Sequence, residues 1–377
     1  MAATESPRVL GILVRELPLW VSIATAVVLT VLGEQWLGDL SRTAAATLLF
    51  VWLFAVVMWS AFAVVRHADC LAANLGEPYG TLILTLSVIS IEVMMIAAVM
   101  VTGEDKPTLA RDTMYAVVMI VLNGMVGVTL LLGGWRHREQ QYNLQGANAF
   151  LAVIVPLSIL GLVLPKYTHS TQDPTFSTDQ AIFMVLLSVG IYAVFLGIQT
   201  VRHRGHFTQP VTDGDDAADS HGHAALEARS SAFHALMLVL YLAPMVLLAK
   251  NLASPINYGI EVLTLPEALG GFVVAVLVLS PEAMSAARAA LSNALQRSIN
   301  ILLGSALATI SLTIPAVLLI GLVSGENVVL GLDDEESLML IVTLLVSMLT
   351  FAGGRTNVLQ GAVHILLFFA YIMLIFD

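Results

Sequence analysis

Two glutamates in this sequence have a setting that gives them chemistry. Glu92 stands alone in the otherwise unionisable run from Gly80 to Ala97, and Glu282 stands alone in the run from Gly270 to Ala287. Each lies 12 positions after the glycine that opens its run. At about 1.5 Å per helical residue, both carboxyls fall about 18 Å along their helices, near the middle of a bilayer core about 30 Å thick. Ionisable groups at that depth are costly and usually functional. A glutamate kept protonated or hydrogen-bonded in a core explains one such residue more easily than two in matched positions. Neither run contains Lys or Arg. Paired carboxylates without a basic partner suit a hard divalent cation such as Ca²⁺. Without a cation they hold protons, because burial and like-charge proximity raise carboxylate pKa values and couple the two titrations. A site that takes either a cation or protons can exchange one for the other.

Polar residues near the two acids supply further oxygen donors. Ser87, Ser90 and Ser280 are candidate ligands, although serine in a membrane helix also bonds its own backbone. Asn123 and Ser305, each on the helix after its glutamate, are the better candidates, while the glycines beside them, Gly124 and Gly304, suit close helix packing. Pro281 removes a backbone donor immediately before Glu282, and interrupted helices can turn carbonyls towards a cation. Glu77 heads the helix of Glu92 and is a gate candidate, against the reading of a solvated interfacial acid. The methionines at 94, 95, 119 and 125 read as packing residues.

The elements that must position these groups are membrane helices. The 377 residues are 58% hydrophobic and only 11% charged, against about a quarter charged in soluble domains. Mean hydropathy is +0.88, and the net charge of −11 argues against a nucleic-acid partner. One cysteine, Cys70, excludes an intrachain disulfide. The N-terminal residues lack the pattern of a cleaved signal peptide. Eleven apolar runs of spanning length are expected near 17–33, 43–65, 80–101, 113–134, 147–164, 181–201, 233–249, 267–287, 299–323, 338–352 and 361–376. With the N-terminus inside, the inner loops carry eleven basic residues and the outer loops five, which follows the positive-inside rule and puts the C-terminus outside.

The fold expected is therefore all-α and polytopic, with one N-terminal helix and two inverted five-helix repeats. Residues 1–42 form an N-terminal region with the first span, 43–201 the first repeat, 202–232 a cytoplasmic linker and 233–377 the second repeat. Repeats with an odd number of spans have opposite orientations, as in secondary transporters with midplane sites. The linker holds His203, His206, the acidic stretch from Asp213 to Asp219, His221 and His223. This composition cannot pack a core and lacks the ligand spacing of an EF-hand. It reads as a solvated tether before it reads as an ion-capturing or regulatory segment.

The strings Gly76-Glu-Pro-Tyr-Gly-Thr-Leu-Ile-Leu-Thr-Leu-Ser87, Ser280-Pro-Glu-Ala-Met-Ser-Ala-Ala-Arg-Ala-Ala-Leu291 and Leu295-Gln-Arg-Ser-Ile-Asn-Ile-Leu-Leu-Gly-Ser305 resemble bacterial Cha-type proton antiporters of the calcium/cation antiporter superfamily. The resemblance spans nearly the whole chain. It implies one glutamate from each repeat in a shared cation and proton site, with these roles falling on Glu92 and Glu282. Gly304-Ser305 stands where the wider family has its Gly-Ser. Ser-Ile-Glu92 replaces the Asn-Ala-Thr-Glu type of string found in many calcium/proton exchangers.

These readings lead to an expected antiporter in a cell inner membrane. It extrudes cytoplasmic Ca²⁺ against entering protons, with Na⁺(K⁺)/H⁺ exchange as the alternative. The resemblance covers both ions. No cofactor is expected beyond the transported ions, and the partners are inorganic cations, protons and lipid. Enzyme activity is not expected, since there is no His-Glu-x-x-His string and no aspartate centrally in any span. A channel, which would conduct without proton coupling, lacks a ring-forming repeat here.

Overall fold

The structure is a computed structural model that describes residues 14–37, 43–75, 87, 89–94, 96–97, 108–171, 173–210, 230–325 and 327–376. Long helices account for most of it. They are α1 (Leu17–Leu37), α2 (Thr43–Leu75), α3 (Leu109–His137), α4 (Leu144–Tyr167), α5 (Thr178–Arg202), α6 (Ser231–Val262), α7 (Ala268–Leu291), α8 (Leu295–Ser324), α9 (Asp334–Thr350) and α10 (Val358–Ile375). The short strands β1 (Glu139–Gln141) and β2 (Arg355–Asn357) form one antiparallel pair, with Gln140 opposite Thr356. Among the described residues, eight helices are long and apolar enough to cross a membrane. The chain is a multi-pass membrane protein.

Contacts divide the chain into two compact units. One takes its residues from 1–102 and 226–265, the other from 103–225 and 266–377. Each sequence half expected as a repeat contributes to both units.

In the first unit α2 packs along α6, and α1 packs on both. With 33 and 32 residues, α2 and α6 are each about 50 Å long, well beyond a bilayer core of about 30 Å. Leu53, Val57, Val64, Tyr241 and Leu248 are fully buried in this unit. Trp20, Trp52 and Trp59 are about half exposed, as befits side chains that meet lipid and its interface.

In the second unit α3 is the axis. It is the most buried of the eight candidate spans, and α7, α8 and α10 pack against it. Glycine makes two of these approaches close. A Cβ on Gly361 of α10 would lie 2.7 Å from the Leu131 nitrogen of α3, and one on Gly271 of α7 would lie 2.8 Å from the Thr113 nitrogen. Removing side chains is how apolar helices bring their backbones together where burial of apolar surface alone gives no drive.

Local signals set the helix ends. Reciprocal caps start α5 (Ser177 with Gln180), α9 (Asp333 with Glu336) and α10 (Asn357 with Gln360). Gly325 ends α8 in the left-handed region at φ +76°. Among the described residues, four π-helical turns interrupt the α-helical ladder, at Ile120–Met125, Ile159–Val163, Ile198–Arg202 and Thr309–Thr313. Two of these lie within α3 and α8, the helices that carry Asn123 and Ser305.

Candidate cation and proton site

Glu282 lies in α7, which runs without interruption through Pro281. The helix therefore continues past a residue that cannot donate, and the Leu277 carbonyl one turn earlier loses its usual intrahelical partner. The side chain of Glu282 is half-buried. Its Oε2 accepts a hydrogen bond from the Ser305 hydroxyl of α8 at 2.6 Å. Ser305 was expected beside Glu282 from sequence, and the fold of the second unit brings them together. The Ser280 hydroxyl turns back onto the Val276 carbonyl of its own helix.

Asn123 lies in the π-helical turn of α3, fully buried, and this turn packs against both α7 and α8. The amide is engaged in a polar chain across three helices. Asn123 Nδ2 donates to Thr343 Oγ1 of α9 at 2.8 Å. Asn123 Oδ1 lies 3.4 Å from His364 Nδ1 of α10, and His364 Nε2 lies 2.9 Å from Thr350 Oγ1 of α9. One tautomer satisfies the imidazole, with Nδ1–H donating to Asn123 and Nε2 accepting from Thr350. Sequence reasoning found Asn123 but missed His364, Thr343 and Thr350. A lone histidine in an apolar helix gave no sign of partners that lie 241 and 14 positions away.

One end of the second unit carries a compact ion-pair group. Arg111 Nε donates to Asp112 Oδ1 at 2.8 Å, and Arg111 Nη1 donates to the Gly331 carbonyl at 3.2 Å and faces Asp333 Oδ2 at 3.5 Å. Lys166 at the end of α4 pairs with Asp334 at 3.0 Å. The start of α3, the end of α4 and the start of α9 were all assigned to one side of the membrane from the loop charges, and here they meet. At the other end, Gln140 beside α3 donates to the Ala290 carbonyl at 2.8 Å, and β1 pairs with β2.

Glu92 belongs to the first unit and is buried, 2% exposed. Ser90 is half-buried close by in sequence, as is Ser87. Glu77 lies outside the described residues, as do residues 211–229 of the linker. His203 and His206, at the start of that linker, stack with ring centroids 4.9 Å apart.

The first unit also holds a buried polar cluster that sequence reasoning did not find. Glu16 Oε2, immediately before α1, accepts from Arg66 Nη2 at 2.8 Å and Tyr241 Oη at 2.8 Å, and His67 Nε2 lies 3.1 Å away. Burial pushes the Glu16 carboxyl up, but the bonds from His67 and Tyr241 and the charges of Arg66 and His67 outweigh it and hold it down to about 2.

A multi-pass helical protein with a carboxylate and a hydroxyl joined between apolar helices has the build of an ion transporter. The chain belongs to the sodium/calcium exchanger protein family, whose model matches residues 45–201 and 233–376. It is 44% identical over 320 residues to the sodium-potassium/proton antiporter ChaA of Escherichia coli (strain K12), covering 85% of this chain and 86% of that protein. It is 20% identical over 248 residues to a Ca²⁺/H⁺ antiporter of Synechocystis sp. (strain ATCC 27184 / PCC 6803 / Kazusa), covering 63% of this chain and 66% of that protein. Among solved structures, native YfkE superimposes with a TM-score of 0.72 at 16% identity, over 95% of this chain and 99% of that one. The helical membrane fold is thus shared with a solved structure over nearly the whole chain.

Proposed function

We propose that this protein is a secondary cation/proton antiporter in which Glu92 and Glu282 are the carboxylates that bind cation or protons in turn. The observation that carries this reading is Glu282 in the apolar helix α7, with Ser305 donating to it at 2.6 Å. A carboxylate and a hydroxyl supply hard oxygen donors for a cation. When the cation leaves, a proton takes its place on the carboxyl. Ser87, Ser90, Asn123 and Ser280 are the supporting ligands in this reading, and Glu77 the gate. The protein carries out transport and no catalysis, and requires no cofactor.

The architecture we propose is eleven spans, with an N-terminal helix and two inverted five-helix repeats over 43–201 and 233–377. It is supported by the family match, whose two stretches, 45–201 and 233–376, nearly coincide with those bounds. Glu92 and Glu282 occupy equivalent positions in the two repeats, 12 residues after Gly80 and Gly270. The inner membrane, with the N-terminus cytoplasmic and the C-terminus outside, is the location in this reading. The loop charges support it.

Ca²⁺ is the ion that two carboxylates favour, and the Synechocystis relative is named for it. A specific observation supports a second reading, Na⁺(K⁺)/H⁺ exchange: the 44% identical relative is a sodium-potassium/proton antiporter. Addition of each chloride salt to proteoliposomes with a preset pH gradient separates the two. Collapse of the gradient by micromolar to millimolar Ca²⁺ alone supports the first, collapse by Na⁺ or K⁺ alone the second, and collapse by none removes antiport.

A further inference from the structure

Three helices meet in the first unit around a pair of histidines. His67 Nδ1 of α2 lies 3.0 Å from His234 Nδ1 of α6, and both side chains are buried, 2% and 3% exposed. His67 turns its other nitrogen to Glu16 Oε2 at 3.1 Å. Arg66 Nη2 lies 3.2 Å from the same His67 nitrogen, so Nε2 either donates to Glu16 or accepts from Arg66. In both tautomers one Nδ1 of the pair donates to the other across the 3.0 Å contact.

This arrangement has a fixed proton capacity. The neutral pair holds two protons, one within the Nδ1–Nδ1 contact and one on an outer ring nitrogen. A third proton goes to the other outer nitrogen and leaves the contact intact, now as a charge-assisted bond about twice as strong as the neutral one. A fourth would set two N–H groups against each other at 3.0 Å and break the contact. The pair thus takes up one proton and no more while α2 and α6 stay joined there.

Charged and titratable groups from three helices surround the pair. From α1 comes Glu16, with Arg15 beside it and the Arg15 carbonyl 3.5 Å from Arg66 Nη1. From α2 come Arg66, whose Nη2 is 2.8 Å from Glu16 Oε2 and 3.2 Å from His67 Nε2, and Asp69 and Cys70 in the turn that follows. From α6 come His234 and Tyr241, the latter donating to Glu16 at 2.8 Å. Glu16 and Arg66 form an ion pair at 2.8 Å within the cluster.

We infer that His67 and His234, oriented by Glu16, form a proton-binding site separate from Glu92 and Glu282, which joins α1, α2 and α6 at one end and makes exchange depend on pH there. By the loop charges that end is cytoplasmic, and the Asp- and His-rich linker enters α6 just before His234. The effect on exchange rests on the antiport reading, whereas proton binding by the pair does not.

The test has two arms on the full-length protein. In the first, ¹⁵N-histidine NMR follows the purified chain in detergent from pH 5 to 8.5, with Glu282→Gln as a parallel sample. The two rings are expected to share a single one-proton titration in both proteins, and His67→Gln or Glu16→Gln is expected to shift the His234 midpoint by about one pH unit or more. In the second, cation-driven proton flux is measured in vesicles while only the pH on the linker side varies. His234→Gln is expected to keep its maximal rate and lose one titration step of the wild-type profile, as is His67→Gln. Tyr241→Phe, which leaves the histidine pair in place, provides the folded control and is expected to keep that step. Independent titration of the two rings overturns the proton site, and flux profiles of both histidine variants that superimpose on wild type overturn its role in exchange. Loss of antiport in the wild type with the shared titration intact removes the transport reading alone.

Discussion

Glu282 and Ser305 connect residue chemistry to transport most directly. A hydrogen bond to a charged group contributes about 1.5–3 kcal/mol. Ser305→Ala is therefore expected to weaken apparent cation affinity about tenfold and leave the helices assembled, as read from the cation dependence of flux and the melting temperature of the purified protein. An unchanged cation dependence would assign the serine to packing. Glu16 gives a pH prediction of another kind. Folding holds its carboxyl at about 2 instead of 4.5, so its stabilisation is complete above pH 4.5 and is lost as the pH falls towards 2. The melting temperature of Glu16→Gln, lower at neutral pH, is expected to approach that of the wild type over that acid range. Parallel curves down to pH 2 would show that the cluster around Glu16 adds nothing to folding.

Where a residue's partners lie along the chain explains which residues sequence reasoning could find. Glu92 and Glu282 stood out because a charge in an apolar run is conspicuous by itself, and Ser305 because it follows Gly304 on the next helix. His364 and Thr343 were not. Their role arises only when α3, α9 and α10 converge on Asn123, and the Asn123 and Thr343 positions are 220 residues apart. Glu16, His67 and His234 were hidden for the same reason, since each lies near a helix end where a polar residue is unremarkable. The π-helical turns have no sequence signal of the kind that a cap or a glycine provides. They change the register within α3 and α8, and with it which residues face a neighbour.

At the scale of elements, the approach of α10 to α3 depends on Gly361 and Gly127. A Cβ on Gly361 would meet the Leu131 nitrogen at 2.7 Å, and one on Gly127 would meet the Ile365 nitrogen at 2.9 Å. These contacts are with backbone, which cannot swing away. Gly361→Leu is expected to push the helices apart and destabilise the protein by about 3 kcal/mol, towards the upper end of overpacking costs, as read from thermal unfolding in detergent. Gly190, where an added methyl would meet nothing within 4 Å, should accept Ala with little change in the same assay. His364→Leu tests the buried polar chain: it removes the partner of Asn123 Oδ1 and of the Thr350 hydroxyl, and a loss of about 1–3 kcal/mol is expected. A variant as stable as wild type would mean that Asn123 is free to serve another partner, such as a cation.

At the scale of the whole molecule, the helix boundaries were readable to within a turn or so for most expected spans, since length and apolarity in a bilayer leave few alternatives. The spans expected at 43–65 and 233–249 are much longer in the structure, Thr43–Leu75 and Ser231–Val262. Hydropathy reports only the part of a helix that suits lipid, and polar residues such as His67 and Asn251 extended these helices beyond it. The division into two contact units was not legible either, because it interleaves the sequence halves, and interleaving depends on packing that no local pattern encodes. The linker remains a matter for deletion. Removal of residues 212–223 is expected to leave cation selectivity and maximal exchange unchanged, and a lost or altered cation response would make it part of the transport machinery.

The central claim, that two carboxylates bind cation and proton in turn, is tested most directly by cation-driven proton flux in inside-out vesicles. Ca²⁺, Na⁺ and K⁺ are added separately to wild type, Glu92→Gln and Glu282→Gln, with the amount of folded protein in the membrane matched. The account predicts that a cation that dissipates the pH gradient in wild type dissipates it in neither variant. Undiminished exchange by either variant would contradict it.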